Sequence, residues 1–341
     1  MPSAFRMQRP APAIATGLNQ VYPAAAVGLP RDLADRLDAL TRINTDEFVD
    51  SLGLGWVSWG RPLLQQLCRP AARRISRDMA RFDGIIARRA LRQGARDVLD
   101  ELIGTFEVHG AERLPRVGPL LILANHPGLC DVLTIFATIE REDLLVVAAD
   151  YPLLRALNGI NRYFLFVGRG AGCRRAALGK ILAHLQSGGA MLILPAGQIE
   201  PDPALSCADS LLALDGWSRS IGVIAPRVDG LVVVPAIVSG VLIPRFQQHP
   251  LTWIRRRAAD RQRLGTALQV LARASATTSV RLTYGRPIPR SDLLGLGGRR
   301  AITRVVVDQV RVLMQGVARA DTAPAGAHTG LITTPAPARK P

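Results

Sequence analysis

Between residues 106 and 317, short apolar runs alternate with longer stretches in which apolar residues recur every three or four positions. Short runs of this kind predict buried strands, whereas the longer spacing predicts amphipathic helices. The predicted strands cover residues 119–124, 144–148, 164–167, 190–194, 231–238 and 280–284. The predicted helices cover residues 132–140, 152–157, 173–186, 253–274 and 299–317. This order predicts an α/β fold, namely a mixed, mostly parallel sheet with helices on both faces.

The chain on either side of this region has a different pattern. Residues 30–105 keep a helical periodicity and predict a small helical region ahead of the sheet. That region is either an independent bundle or a set of helices packed on the main domain, and both arrangements are open. Residues 1–29 and 321–341 are rich in Ala and Pro and predict a flexible arm and a disordered tail. The α/β domain is therefore expected to span residues 106–320.

The composition narrows the range of partners. Hydrophobic residues make up 48% of the 341 positions, which is enough for a sizeable core. The formal net charge of +16 favours polyanions such as nucleic acid, anionic lipid head groups, phosphorylated substrates or an acidic carrier protein. No zinc, helix-turn-helix or RNA-binding signature is visible in the sequence. We therefore expect peripheral contact with an anionic membrane and no nucleic acid partner, and leave the oligomeric state open.

Cysteine usage and targeting signals bear on the compartment. The four cysteines form no C-x-x-C pair and have no histidine at zinc spacing, so we expect reduced thiols and no metal site. The N-terminus lacks an unbroken apolar segment after its first arginines, and no window approaches about 20 consecutive apolar residues. These features predict a cytoplasmic protein that lies on the cytoplasmic face of a membrane without crossing it.

The segment LLILANHPGLCD, residues 120–131, contains the most informative chemistry. An apolar strand runs directly into Asn125 and His126, Pro127 and Gly128 end the strand, and Asp131 begins the next helix. Polar groups at the carboxyl end of a strand lie where α/β proteins bind ligands. A carboxylate on one ring nitrogen fixes the imidazole tautomer and leaves the other nitrogen as a base. The alternative is a histidine with only a structural hydrogen bond.

The longer segment around this motif, residues 108–135, resembles the opening of the glycerolipid acyltransferase family, which includes glycerol-3-phosphate and lysophosphatidate acyltransferases. Members of that family have an N-H-x-x-x-x-D signature after such a strand. By this resemblance His126 is the general base and Asp131 orients it. The reaction implied is transfer of a fatty acyl group from a thioester, either acyl-CoA or an acyl carrier protein, to a hydroxyl of a glycerophospholipid precursor or lyso-lipid, without a cofactor.

Further segments resemble the later blocks of that family in order. Residues 164–170 are similar to the second block, in which Arg169 would contact the acceptor's phosphate. Residues 192–200 resemble the third block and residues 231–240 the fourth. The substrate-binding residues implied by the resemblance are Asn125, Gly128, Arg169, Pro195, Gly197, Gln198 and Glu200. Backbone N–H groups near Gly128 or in the 195–197 turn are candidates to stabilise the oxyanion.

The third block departs from the family pattern. Ala196 stands where a glutamate is usual, and Gln198-Ile199 replaces the common Thr-Arg pair. These departures bear on the acceptor more than on the reaction, and an aminolipid or another unusual lyso-lipid stays open. They also motivate the alternative function, a catalytically inactive lipid-binding or scaffold protein of the same fold.

Three other features have competing interpretations. Cys130, beside the motif, is either a nucleophile or an apolar core residue, and we favour the core. The helix predicted to begin at Trp253 is strongly basic. Three interpretations are open: a helix at the membrane interface, a docking site for a carrier protein, or an ordinary helix that covers the sheet. Arg174, Arg175 and Lys180 are interpreted as a solvated helix face near Arg169.

Overall fold

The computed structural model describes residues 33–53, 60–128 and 130–322. The helical region consists of three helices: α1 (Leu33–Ser51), α2 (Arg61–Arg88) and α3 (Leu91–Leu102). The strands that follow are β1 (Thr105–His109), β2 (Leu120–Ala124), β3 (Leu144–Ala149), β4 (Phe164–Val167), β5 (Ala190–Ile193), β6 (Val232–Ser239), β7 (Ser279–Tyr284) and β8 (Ile288–Pro289). The remaining helices are α4 (Asp131–Thr138), α5 (Pro152–Ala156), α6 (Ala171–Gln186), α7 (Cys207–Ala213), α8 (Ile221–Ile224), α9 (Pro244–Gln247), α10 (Ala258–Leu271), α11 (Arg290–Leu293) and α12 (Arg299–Thr322).

The strands form one mixed, mostly parallel sheet in the order β1-β7-β6-β2-β5-β3-β4, with β8 paired to β6. Only the pairs β6–β7 and β6–β8 are antiparallel. Strand β2 lies between β5 and β6 and is buried along its whole length. The carboxyl ends of β2, β5, β3 and β4 therefore meet at one edge of the sheet, where the segments that follow these strands are neighbours.

Alternating side chains of the sheet build two separate cores. Ile122 and Val234 point into a core shared with α3 and α4. Leu123 and Val233 point to the other face, where they pack with residues of α6, α8 and α12. Because strand side chains alternate between faces, a strand that is apolar at every position must be covered on both sides. The predicted fold class, with helices on both faces and a helical region ahead, is confirmed.

The elements differ from the predictions in several places, and the short helices α7, α8, α9 and α11 were not predicted. Strands β1 and β8 were not predicted, since β1 is half-exposed and β8 has only two residues. The helix predicted to begin at Trp253 begins at Ala258 instead, because a 3-10 turn over Pro250–Ile254 precedes it. Helix α12 continues to Thr322, two residues into the predicted tail. The predicted N-terminal arm and the rest of that tail lie outside the described residues.

The helical region is attached to the sheet by packing and by a buried carboxylate. Residues of α3 and the end of α2 belong to the same core as β2 and β7. In α2, Asp83 is buried and accepts hydrogen bonds from the backbone N–H groups of Gly159 (3.0 Å) and Ile160 (2.9 Å). A Cβ at residue 159 would lie 2.3 Å from the Asp83 carbonyl oxygen, so this close approach requires glycine. The division into domains at residue 105 stays a prediction.

We expect Asp83→Ala to lower the free energy of unfolding by about 2–5 kcal/mol, because it leaves two N–H groups of the 159–160 turn without their acceptor. Urea denaturation followed by circular dichroism measures this change. Asp78→Ala, in the same helix, removes only an exposed ion pair with Arg273 and should cost less than about 1 kcal/mol. Equal losses for the two variants would contradict the role assigned to Asp83.

None of the helices in the described part of the chain combines the length and the apolar character needed to cross a bilayer. The same residues contain no group of three or more His, Cys, Asp or Glu side chains arranged to hold a metal ion.

Candidate active site

His126 lies at the carboxyl end of β2, in the centre of the sheet edge, and the residue before it fixes the strand end. The side-chain amide of Asn125 donates to the carbonyl of Val238 (2.9 Å) and accepts from the N–H of the same residue (2.8 Å). Asn125 is buried, and both polar atoms of its side chain are engaged by β6. The amide therefore joins β2 to β6 beyond their last paired residues and is not turned toward a substrate.

The imidazole of His126 is paired with the carboxylate of Asp131. Nδ1 of His126 lies 2.6 Å from Oδ2 of Asp131. The same oxygen accepts the N–H of Gly128 (2.9 Å), and Oδ1 accepts the N–H of Val132 (2.7 Å). Gly128 has φ +95°, a left-handed conformation that lets the chain fold back within five residues. The turn thus places the first carboxylate of α4 on the ring at the end of β2.

Exposure differs sharply between the two partners of this dyad. The side chain of His126 is 28% exposed, whereas that of Asp131 is 4% exposed. With Nδ1 occupied by Asp131, Nε2 is the ring nitrogen left to exchange a proton with a bound molecule. Burial alone lowers the pKa of His126. The charge of Asp131, its hydrogen bond and the charge of Glu200 outweigh that effect, so the pKa is raised above its ordinary value.

This shift predicts the pH dependence of any reaction that uses His126 as a base. The neutral imidazole is the active form of the base. Because the pKa of His126 is raised above its ordinary value of about 6.5, the neutral form is lost as the pH falls through that raised pKa. We expect the acid limb of kcat/KM to have its midpoint above that value. In Asp131→Asn the midpoint should move to lower pH because a raising charge is gone. An acid limb below pH 6 in the unmodified protein would contradict this assignment.

The segment that follows β5 contacts the main chain of His126 through Glu200. Glu200 is buried, and its Oε2 accepts the backbone N–H of His126 at 2.9 Å. Its Oε1 accepts the indole N–H of Trp217 at 2.7 Å. Burial raises the pKa of Glu200 to about 7, although the hydrogen bonds from Trp217 and the His126 backbone lower it. The carboxylate that contacts the main chain of His126 therefore has a pKa close to neutral pH.

The N–H groups of both glycines singled out from the sequence are already used within the protein. Gly128 donates to Asp131, and Gly197 (φ +63°) donates to the carbonyl of Leu194 at 3.1 Å. Pro195 has no N–H, and its carbonyl accepts the N–H of Ser218 at 2.9 Å. The N–H groups of these two glycines are therefore engaged within the protein, and the expectation that backbone N–H groups near Gly128 or in the 195–197 turn stabilise an oxyanion stays a prediction.

A small cavity of about 240 Å³ lies beside this turn. Gln198, Ile199 and Glu200 line one side, and the first turns of α10 line another. Half of all the lining residues are small, namely Ala196, Ala213, Gly216, Ala258 and Ala259. Ala196 thus contributes an uncharged side chain to the wall of a cavity that Glu200 also lines.

Arg169 lies along the same sheet edge but not beside the dyad. It is exposed and follows β4, two residues before α6 begins. Strands β5 and β3 separate β4 from β2. At the usual spacing of neighbouring strands, the backbone at Arg169 is roughly 14 Å from that at the end of β2. The structure thus brings together His126, Asp131, Asn125, Gly128 and Glu200 and places Arg169 at a distance.

The cysteine in the motif belongs to the core. Cys130 is buried in the cluster that covers β2 and β6. Burial and the nearby carboxylates of Asp131 and Asp202 raise the pKa of its thiol. A buried neutral thiol is a poor nucleophile, so the geometry favours the imidazole as the reactive group.

Two residues of the site were not found from the sequence. The indole of Trp217 holds the Glu200 carboxylate, and Gln262 of α10 donates to the Glu200 carbonyl at 2.7 Å. Neither residue belongs to a motif, and both contacts join segments that are distant in the sequence. The one available signal was that Trp217 is one of four tryptophans in a chain with few aromatic residues.

No protein-family profile matches the chain, and no curated protein sequence matches it. Among solved structures, the chain is similar to the 1-acyl-sn-glycerophosphate (LPA) acyltransferase PlsC from Thermotoga maritima, with 17% sequence identity and a TM-score of 0.41 over 82% of this chain and 97% of that chain.

Proposed function

We propose that the chain is an acyltransferase that moves a fatty acyl group from an acyl thioester to the hydroxyl of a glycerophospholipid precursor or lyso-lipid. The observation that carries this proposal is the 2.6 Å contact between His126 Nδ1 and Asp131, with the ring partly open to solvent. Such a pair is suited to removing a proton from an alcohol during attack on a carbonyl. The donor is acyl-CoA or an acyl carrier protein.

In the proposed mechanism, Nε2 of His126 takes the proton of the acceptor hydroxyl while the hydroxyl oxygen attacks the thioester carbonyl. Asp131 stabilises the imidazolium that forms. The tetrahedral intermediate collapses, the carbon–sulfur bond breaks, and the imidazolium returns its proton to the departing thiolate. The products are an ester and a free thiol, and no acyl-enzyme or cofactor is needed. We assign Arg169 to contact with a phosphate of the acceptor, because guanidinium groups pair well with phosphate.

The direct test is incubation with acyl-CoA or an acylated carrier protein and a panel of acceptors, including glycerol-3-phosphate, lysophosphatidate and aminolipids. Mass spectrometry detects the acylated product, and a thiol reagent detects the released thiol. We expect equal amounts of both. Lipid binding without product would support the alternative, an inactive lipid-binding protein. The uncharged side chain of Ala196 motivates this alternative. Neither binding nor product with any pair would contradict both functions.

We also propose that the protein works peripherally on the cytoplasmic face of an anionic membrane. Trp253 is 72% exposed, and Leu251 and Ile254 beside it are exposed too, directly before the basic run of residues 255–257. The guanidinium of Arg255 packs against Gly53 at the end of α1. Apolar side chains flanked by arginines favour the boundary between head groups and acyl chains.

We expect the double variant Trp253→Ala/Ile254→Ala to bind anionic vesicles about tenfold more weakly, because it removes roughly 1.5 kcal/mol or more of apolar transfer energy. Co-sedimentation with phosphatidylglycerol vesicles measures the change. Val312→Ala, at another exposed apolar position on α12, is the matched control. Unchanged sedimentation of the double variant would exclude this surface as the contact.

A further inference from the structure

The carboxylate of Glu200 contacts the backbone of the catalytic histidine. Building on the proposed function, we propose that Glu200, held in place by Trp217, is a positioning residue that fixes the main chain of His126, and that it is not a ligand of the substrate. This differs from the substrate-binding role that the sequence resemblance implies for Glu200.

Residues 126 and 200 are joined by two hydrogen bonds in opposite directions. The N–H of Glu200 donates to the carbonyl of His126 at 2.7 Å, and the N–H of His126 donates to Oε2 of Glu200 at 2.9 Å. The peptide groups on both sides of the His126 Cα are therefore bound to the same residue. Because β2 ends at Ala124, the main chain of His126 lies beyond the strand pairing, and these two bonds hold it next to the side-chain bonds of Asn125 to β6.

Trp217 fixes the carboxylate from its far side. The indole is buried in the core that covers the second face of the sheet, beside Leu214 and Ile221. Its N–H donates to Oε1 of Glu200 at 2.7 Å. The next residue, Ser218, donates to the carbonyl of Pro195, which joins the 214–218 turn to the turn after β5. The packed core is thereby connected to the histidine through one carboxylate.

Both oxygens of Glu200 are occupied by these donors, and the residue is 3% exposed. Burial and these two donors leave little of the carboxylate accessible to a substrate group. The imidazole, in contrast, has its backbone held by Glu200 and its Nδ1 held by Asp131, which leaves its Nε2 side for the acceptor. Preorganisation of this kind matters because a displacement of about 1 Å at a reacting group can cost roughly 100-fold in rate.

Two substitutions test separately the charge of Glu200 and its hydrogen bond from Trp217. In Glu200→Gln the amide has one acceptor and one donor, so its NH₂ group must face either the His126 N–H or the indole N–H. Trp217→Phe keeps an aromatic ring in the core, removes the indole donor and loses some side-chain volume. We therefore expect both variants to fold and both to leave the main chain of residue 126 less well held, with the larger effect in Glu200→Gln.

The test measures steady-state kinetics of acyl transfer together with the proton NMR signal of the His126 Nδ1–H. We expect kcat to fall about 100-fold in Glu200→Gln and about 10-fold in Trp217→Phe, with the KM for the acceptor changed less than about threefold. The low-field Nδ1–H signal, which reports the contact with Asp131, should weaken or shift in both variants. Glu142→Gln, at the opposite edge of the sheet, is the matched control and should change neither readout.

The result that overturns the proposal is an unchanged kcat, or a loss confined to the KM for the acceptor, which would make Glu200 a substrate ligand. An unchanged Nδ1–H signal in both variants would overturn it as well. The NMR measurement does not require the protein to transfer an acyl group. If the unmodified protein transfers no acyl group and the signal still responds in both variants, the acyltransferase function fails and the positioning role stands.

Discussion

Replacing His126 with alanine should lower kcat for acyl transfer by a factor of roughly 10²–10⁴, the usual contribution of a positioned general base. The expected loss is large because neither of the two carboxylates described at this site is placed to replace the ring as a base. Asp131 is nearly buried and turned toward the ring, and Glu200 has both oxygens occupied. The measurement is the initial rate of thiol release at saturating donor and acceptor.

The fold should survive this substitution, since the ring makes its one side-chain hydrogen bond to Asp131 and is partly exposed. His126→Gln, which keeps more of the side-chain volume, serves as the matched variant and should be equally inactive. Thermal unfolding within a few degrees of the unmodified protein is the control. A rate that stays within threefold in either variant would exclude His126 as the base.

Replacing Asp131 with asparagine should also lower kcat by roughly 10²–10⁴-fold, because an amide can stabilise the wrong tautomer of the ring. Asp131 accepts from Gly128 and His126 through one oxygen and from Val132 through the other. If the asparagine oxygen takes the bond from Val132, its NH₂ group faces Nδ1 and turns that nitrogen into an acceptor. The proton then moves to Nε2, which can no longer act as a base.

Nitrogen-15 NMR of the histidine rings distinguishes the two tautomers in this variant, with His126→Ala used to assign the signal. Asp78→Asn, on the exposed face of α2, is the control for the loss of a carboxylate. Activity of Asp131→Asn close to that of the unmodified protein, with the proton still on Nδ1, would show that the carboxylate does not control the tautomer.

The sequence predicts the part of this site that is local. The apolar run of β2, the Asn-His pair and the Pro-Gly break lie within a dozen residues, and strand-end chemistry follows from their order. The dyad is likewise a contact between residues five apart. Sheet strands such as β5 and β6 were predicted because they are apolar at nearly every position, which a strand covered on both faces requires.

The rest of the site depends on contacts that no local pattern encodes. Trp217 meets Glu200 only because α8 and α12 cover one face of the sheet and carry the 214–218 turn to the strand end. Strand β1 was missed because it is half-exposed and has only five residues. The start of α10 was misplaced because the residues before it have helical spacing but form a 3-10 turn.

The pairing of β2 has a consequence for the order in which the protein can fold. Its two neighbours come from far downstream, since Leu120 pairs with Ala190 on one side and with Val232 on the other. Contacts of such long sequence separation form slowly, because loop closure must precede them. During synthesis the residues of the dyad emerge from the ribosome long before the strands that support them. A nascent chain that ends before residue 232 therefore contains His126 and Asp131 without the two strands that flank β2, and the site is complete only after more than two-thirds of the chain has been made.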